Sequence, residues 1–345
     1  MNPERPKRAT VHDLARTAGV SLATIDRVLN GRSGVRPATI AKVEAAISDL
    51  GFRRDFTASL LARAQALRIQ FILPEGPNQF MRSLEVAIQK EAWQGHSERL
   101  QITTQRVRPL DDRDLIDALR LLSADNCDCT IIVATESEAV RVAVNDAEHR
   151  GVPVVTLVSD VPGSSRRQFV GIDNVAAGRT AASLMGRFVP RGKIGLVAGS
   201  LALRDHRERL DGFIGVAQSE FPDLRLLGPI EGFDEASLTK SCVLELIRTH
   251  QDLAGIYSLG AGTSGLLDAL EVTGHAGRLK VIVHELTKSS RRALRNGAVD
   301  VVIDQNPEGE IRAAIAAARA ICLRTPENIP STLIKIGIFL RDNLR

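Results

Sequence analysis

TVHDLARTAGVSLATIDRVLN (residues 10–30) reads as two short helices joined by a tight turn at a glycine. Thr10 is a residue type that accepts hydrogen bonds from the unpaired backbone N–H groups at a helix start. Val11, Leu14 and Ala15 then form one apolar stripe, with His12, Asp13 and Arg16 on the wet side. Gly19 tolerates the left-handed backbone that lets the chain reverse within a few residues. Ser21 caps a second helix that turns Ile25, Val28 and Leu29 inward and leaves Leu22, Ala23, Thr24, Asp26 and Arg27 outside. A short helix of small outward-facing residues, held by a tight turn, is the form of a helix-turn-helix, whose second helix enters the major groove of DNA. An ordinary helical hairpin has the same local pattern, so the neighbouring sequence has to separate the two.

Charge is the first discriminator. Residues 1–68 hold 12 Lys and Arg against 6 Asp and Glu, whereas the other 277 residues hold 33 against 35. A positive excess gathered at the N-terminus suits a phosphate-contacting module on a near-neutral body. No apolar run approaches the ~20 residues that span a bilayer, so no membrane association is expected. The opening MNPERPKRAT lacks the apolar core of a signal peptide, which places the expected location in the cytoplasm. Cys127, Cys129, Cys242 and Cys322 have no further Cys or His nearby to complete a zinc site, and reduced thiols are expected. Neither metal nor cofactor is called for. The His residues are scattered and no nucleophile–base pair is evident, which argues against an enzyme.

A third helix is expected from Pro37 or Ala38 to Leu50, with Ile40, Val43, Ala46, Ile47 and Leu50 at helical spacing. Residues 52–68 are basic and apolar without a convincing stripe. From Arg68 onward the pattern alternates β and α. Strands are expected at 69–74, 100–107, 129–135, 152–158, 193–199, 255–260, 279–285 and 299–305, with helices such as 83–93, 113–124 and 178–188 between them. Short β-branched runs bounded by Gly and Pro are the mark of buried parallel strands. The alternation predicts an α/β fold of two doubly wound parallel sheets, with ligand loops at the C-terminal ends of the strands.

With a helix-turn-helix, a basic hinge and two α/β halves in this order, the chain resembles the lactose/galactose-repressor family of bacterial transcription regulators along essentially its whole length. The resemblance rests on TVHDLARTAGVSLATIDRVLNG followed by VRPATIAKVEAAISDLGF, then on Asn78 and Phe80 after the first strand, GIDNVAAGRTAA (171–182), RLDGF (209–213) and FLRDNL (339–344). The stretch VHELTKSSRRAL…VIDQNPEGEIRAAI is similar to ribose-type periplasmic sugar-binding proteins, which share the core fold. Two departures stand out: Asp26 where the family commonly has Ser, and Arg54 where many members have Pro.

The resemblance implies a three-helix headpiece at 1–55, a hinge at 56–67 and an effector-binding core at 68–345 like type I periplasmic binding proteins. Within that core it implies an N-subdomain of about 68–172 plus 306–333 and a C-subdomain of about 173–305 plus 334–345. It further implies that Leu22, Ala23 and Arg27 face base edges while Thr10, Ser21, Thr24 and Asn30 meet phosphates, roles that suit their chemistry. Leu61, flanked by Ala58 and Ala62, matches the residue that wedges into the minor groove when the hinge folds on DNA. Reading two half-sites calls for a homodimer on a palindromic operator, and no C-terminal heptads point to a larger assembly. By the same matching, a carbohydrate-like effector between the subdomains would meet Asn78, Phe80, Arg209, Glu285 and Gln305. Asp205 and His206 lie in the loop after KIGLVAGS, and Asp160 is a weaker candidate because the family's acidic residue falls nearer Val158. The implied function is a ligand-controlled repressor. One motif competes. Gly260-Ala-Gly-Thr-Ser-Gly265 follows a strand, with Glu285 about twenty residues on, the dinucleotide-binding pattern. It leaves open a phosphorylated or nucleotide-like effector held on backbone N–H groups, or a dinucleotide-binding enzyme.

Overall fold

The structure, a computed structural model, describes residues 10–29, 34–50, 66–95, 99–325, 329 and 333–344. The chain divides into two compact units, Met1–Ala66 and Leu67–Arg345. Among the described residues no helix is long and apolar enough to cross a membrane.

The first unit holds α1 (Val11–Ala18), α2 (Leu22–Leu29) and α3 (Pro37–Asp49). Thr10 and Asp13 form a reciprocal cap: Thr10 Oγ1 accepts from Asp13 N at 3.2 Å and Asp13 Oδ2 accepts from Thr10 N at 3.0 Å. Gly19 ends α1 in the left-handed region at φ +64°, a conformation that a β-carbon disfavours. Leu14, Ala18, Ile25, Val43 and Ala46 are buried together, so each helix gives its apolar side to one small core.

The second unit contains two sheets of six strands. The first, in the order β11-β5-β4-β3-β1-β2, comprises β1 (Leu67–Pro74), β2 (Leu100–Val107), β3 (Cys129–Ile132), β4 (Val154–Leu157), β5 (Gln168–Ile172) and β11 (Leu333–Ile334). The second, β12-β10-β9-β8-β6-β7, comprises β6 (Gly192–Ala198), β7 (Leu224–Glu231), β8 (Leu253–Ser258), β9 (Lys280–His284), β10 (Val301–Asp304) and β12 (Gly337–Phe339). All pairings are parallel except β10 with β12. Every residue of β3 and β4 is buried, as strands covered by helices on both faces must be. The strand order reverses between β1 and β3 in one sheet and between β6 and β8 in the other. At such points neighbouring crossovers run to opposite faces and open a crevice at the strands' C-terminal ends.

The helices between strands are α4 (Gln79–Gly95), α5 (Asp112–Arg120), α6 (Glu138–His149), α7 (Asn174–Phe188), α8 (Arg204–Glu220), α9 (Ala236–Thr249), α10 (Thr263–Val272), α11 (Lys288–Asn296) and α12 (Pro307–Cys322). After β10 the chain returns: α12 packs on α4, β3, β4 and β5 of the first sheet. Strands β5, β7, β11 and β12 were not expected from the sequence. β7 carries Gly228-Pro229, a turn signal, and the sheet accommodates it at a register shift opposite Gly195–Val197.

Helices α7 and α8 cross with their backbones nearly touching. A β-carbon on Gly178 would lie 2.0 Å from the carbonyl oxygen of Arg209, and one on Gly212 would lie 2.2 Å from that of Val175. The Gly178→Ala variant must therefore part the two helices, at an expected cost on the order of 1–3 kcal/mol. It is read as a lowered urea midpoint. Gly215, on α8 with nothing within 4 Å of its would-be β-carbon, is the control: Gly215→Ala is expected to stabilise by about 0.5–1 kcal/mol.

Candidate ligand cleft and nucleic-acid interface

In the first unit, α2 presents Leu22, Ala23 and Arg27 to solvent, with Leu22 44% exposed, while Ile25 is buried beneath them. Ser21 Oγ accepts from Thr24 N at 3.1 Å and lies 2.9 Å from Thr24 Oγ1, which starts the helix and keeps both hydroxyls at its exposed N-terminal end. Thr10 Oγ1 donates to Asp13 Oδ2 at 2.7 Å, so its hydroxyl hydrogen is engaged within the cap and its remaining capacity is as an acceptor. Asn30 and Leu61 lie outside the described residues, as does the side chain of Asp26.

In the second unit, the loops at the strand ends of both sheets meet over a chamber of about 380 Å³. One wall comes from the first sheet: Asn78, Phe80, Met81, Val133, Val158 and Ser159. The other is more polar and comes from the second: Asp205, His206, Arg209, Asp234, Glu285 and Gln305. Six of the seven expected effector residues therefore share one chamber, together with His206.

Arg209 sits at its floor, 1% exposed. Its Nε donates to Asn174 Oδ1 and its Nη1 to Leu259 O, both at 2.9 Å, while Nη2 has no hydrogen-bond partner and lies 3.5 Å from Asp205 Oδ2. Asp205 Oδ1 is likewise without a partner. Glu285, in the left-handed region at φ +70°, accepts at Oε1 from Gln305 Nε2. Glu285 Oε2, Gln305 Oε1 and Ser159 Oγ remain unpaired. Burial, reinforced by nearby Asp304, pushes the Glu285 carboxyl up to about 8, with Arg209 opposing the shift. Behind it on α12, the buried Glu310 carboxyl is pushed well above the ordinary range by burial and by Glu285. Desolvation holds buried His284 neutral, its Nε2 2.9 Å from the Tyr257 hydroxyl. His206 Nδ1 is tied to the Ser200 backbone at 2.9–3.1 Å.

Among the described residues, side chains link one wall to the other at three places, beside a backbone bond from Glu136 N to Ala202 O at 3.4 Å. Asn78 Nδ2 donates to Asp234 Oδ2 at 3.1 Å, Ser289 Oγ donates to Gln79 Oε1 at 3.1 Å, and Glu136 accepts from Arg204 at 3.2 Å and also from Arg207.

Asp160 is a correction. It pairs with Arg166, accepts from Thr156 Oγ1 at 2.7 Å and caps Val161 N at 2.8 Å, all on β4 and the loop that follows it. The chamber takes Val158 and Ser159 from that loop instead. Asp234 was missed because it follows β7, a strand that the sequence did not announce.

The Gly260–Gly265 motif has a packing explanation. Would-be β-carbons on Gly260, Gly262 and Gly265 lie 2.5 Å from Gly199 N, 2.3 Å from Thr239 Oγ1 and 1.9 Å from Ala236 O. The three glycines let α10 and its leading loop lie against β6 and α9. Asp234 Oδ1 already accepts from Ala261 N at 3.0 Å, and its carboxylate beside the N-terminus of α10 repels a phosphate.

A helix-turn-helix unit joined to a two-sheet clamshell defines the class: a DNA-binding regulator built on a periplasmic-binding-protein core. Residues 10–55 match the model described as bacterial regulatory proteins, lacI family, and residues 69–324 match that of the periplasmic binding protein domain. The chain belongs to the periplasmic-binding-protein domain family over most of its length and carries a lacI-family DNA-binding domain at residues 10–55. It is 27% identical over 277 residues to the HTH-type transcriptional regulator GalS of Salmonella typhimurium, covering 77% of this chain and 76% of that one. It is 32% identical over 155 residues to the maltose regulon regulatory protein MalI of Escherichia coli, 43% of this chain and 42% of that one. Among solved structures, an ABC transporter solute-binding protein from Burkholderia graminis in complex with D-arabinose superposes with a TM-score of 0.75 at 20% identity, covering 81% of this chain and 97% of that one.

The raised Glu285 carboxyl has a measurable consequence. Between its ordinary 4.5 and about 8, the folded protein holds a proton that the unfolded chain has released. The stabilisation is full below the lower value, declines as pH rises through the window, and is gone above the upper one. The slope is on the order of 1.4 kcal/mol per pH unit for one such group. Urea midpoints across this window should fall more gently in Glu285→Gln than in the parent; parallel curves would show that this carboxyl ionises normally.

Proposed function

We propose that the chain is a repressor whose hold on a palindromic operator is set by a small carbohydrate bound between its two sheets. The observation that carries the reading is the convergence of unpaired buried polar atoms in one chamber: Asp205 Oδ1, Arg209 Nη2, Glu285 Oε2 and Gln305 Oε1. Leaving such atoms unpaired costs about 1–3 kcal/mol each. A hydroxylated ligand meets them all, because a hydroxyl both donates and accepts. Glu285, neutral at pH 7, adds a donor of its own, and Phe80 offers an apolar face to C–H surfaces.

The ligand acts by adding contacts to both walls, which favours the closed clamshell and shifts the spacing of the segments that lead to the headpieces. By linkage, operator and ligand change each other's affinity by the same factor. On α2, Arg27 suits guanine O6 and N7, and exposed Leu22 and Ala23 suit thymine methyls. Ser21 and Thr24, at the helix start, suit phosphates, and Thr10 joins them when its hydroxyl hydrogen turns from Asp13 to a phosphate oxygen. Binding rather than catalysis fits the chamber, since His206 and His284 are committed to Ser200 and Tyr257. Acting on DNA puts the protein in the cytoplasm.

Two copies are needed to read two half-sites. Helix α4 exposes Val86 at 64% and Trp93 at 84%, seven residues apart on one face, and that pair supports an isologous contact through α4.

Two experiments test this reading. Selection from random DNA is expected to return a palindrome, and Arg27→Ala is expected to lose roughly 1–3 kcal/mol on it and little on unrelated DNA. Arg209→Ala should still bind that palindrome but no longer respond to any sugar. Failure to select a palindrome sinks the proposal. For assembly, Trp93 is the sole tryptophan, so its emission should shift to the blue as the dimer forms. Trp93→Asp should elute as a monomer and bind the palindrome weakly.

A further inference from the structure

A larger annex of about 810 Å³ adjoins the chamber, and Asn78, Met81, Val133, Leu203 and Asp234 line both. The character of the wall changes across that boundary. The deep chamber ends in unpaired hydrogen-bonding atoms, whereas Pro74, Pro77, Val107, Pro109 and Leu115 line the annex with apolar surface. The Arg108 guanidinium at its rim is spent on Asp111 at 3.0 Å and Asp114 at 2.6 Å.

Two further residues flank the annex from opposite sheets: Leu110, in the turn after β2, and Phe233, in the turn after β7. They are 38% and 50% exposed, and both have left-handed backbones, at φ +57° and +49°. Bulky apolar side chains are rarely found in that region, and rarer still where they also face water. Here one from each wall is held that way at the mouth of the same cavity.

We infer that the effector carries an apolar substituent, and that its class is a glycoside with an apolar aglycone: the hydroxylated ring lies on Arg209 and Glu285, and the aglycone lies in the annex between Leu110 and Phe233. This rests on the reading of the chamber as the carbohydrate site. Adjacency selects this occupant, because the annex shares five lining residues with the chamber and, among the described residues, none of the buried unpaired polar atoms lies on a residue that lines the annex alone. A ligand in both would touch both sheets on two sides, so the aglycone would also strengthen closure.

The test is calorimetric titration of the full chain with common aldopentoses and aldohexoses, each as the free sugar and as its α- and β-phenyl glycosides. For the sugar that binds, one phenyl glycoside is expected to bind about tenfold tighter or more than the free sugar. Leu110→Asn retains a residue type that accepts the left-handed backbone and removes the apolar wall. It should reduce that gain to less than about threefold and leave the affinity for the free sugar unchanged. The inference is overturned if the free sugar binds as tightly as both phenyl glycosides, or if Leu110→Asn weakens sugar and glycoside alike; either result leaves the carbohydrate reading of the chamber standing. If no saccharide binds in any form, that reading falls and the annex assignment falls with it.

Discussion

A guanidinium with almost no contact with water organises the core of this protein. Arg209 is held by Asn174 from α7 and by the carbonyl of Leu259 at the end of β8. Burying such a charge is expensive unless its hydrogen bonds are met. The structure meets them with elements that are adjacent only because Gly178 and Gly212 let α7 and α8 cross at backbone contact. The same charge opposes the upward shifts of Glu285, Glu310 and Tyr257 and helps to hold His284 neutral. Helix packing, the raised carboxyls of the chamber floor and the unbonded Nη2 of Arg209 are thus a single arrangement.

Around that charge the two sheets have complementary tasks. The second sheet provides most of the hydrogen-bonding groups, and the first provides Phe80, Met81, Val133 and Val158. A ligand lying between them would meet a mostly polar wall and a mostly apolar one, and shielding the polar side from water would strengthen every contact made there. Asn78–Asp234, Gln79–Ser289 and Glu136 with Arg204 and Arg207 tie the walls at the margins of the cleft. These links are partly exposed and individually weak, which suits an interface that has to open.

Legibility in the sequence followed the range of the interactions involved. The caps at Thr10 and Ser21, the left-handed Gly19 and the inward Leu14 and Ile25 are set by neighbours within a few residues, and they appear where the pattern put them. The eight expected strands are all present. β5 was hidden in a stretch with no clear alternation, and β7 behind Gly228-Pro229. Losing β7 concealed Asp234, because a strand-end residue is found only if its strand is. Asp160 was misleading for a related reason: an acidic residue beside a strand end is equally suited to bind an Arg in its own loop, and Arg166 lies six positions away. The glycines at 260, 262 and 265 looked like a phosphate cradle because close approach to a ligand and close approach to another helix make the same demand on a side chain.

What the sequence determined by itself is therefore the order of elements, the reading helix with Arg27 on its outer face, and the set of residue types available at the strand ends. Those depend on local periodicity and backbone preference, which act over a turn or two of chain. Tertiary structure decided which of those residues line a common chamber, that burial raises the Glu285 carboxyl, and that Arg209 Nη2 is left beside Asp205 without a hydrogen-bond partner. These depend on burial and on partners distant along the chain, 20 positions away for Glu285 and 35 and 50 for Arg209, and desolvation in a folded interior has no counterpart in a linear pattern.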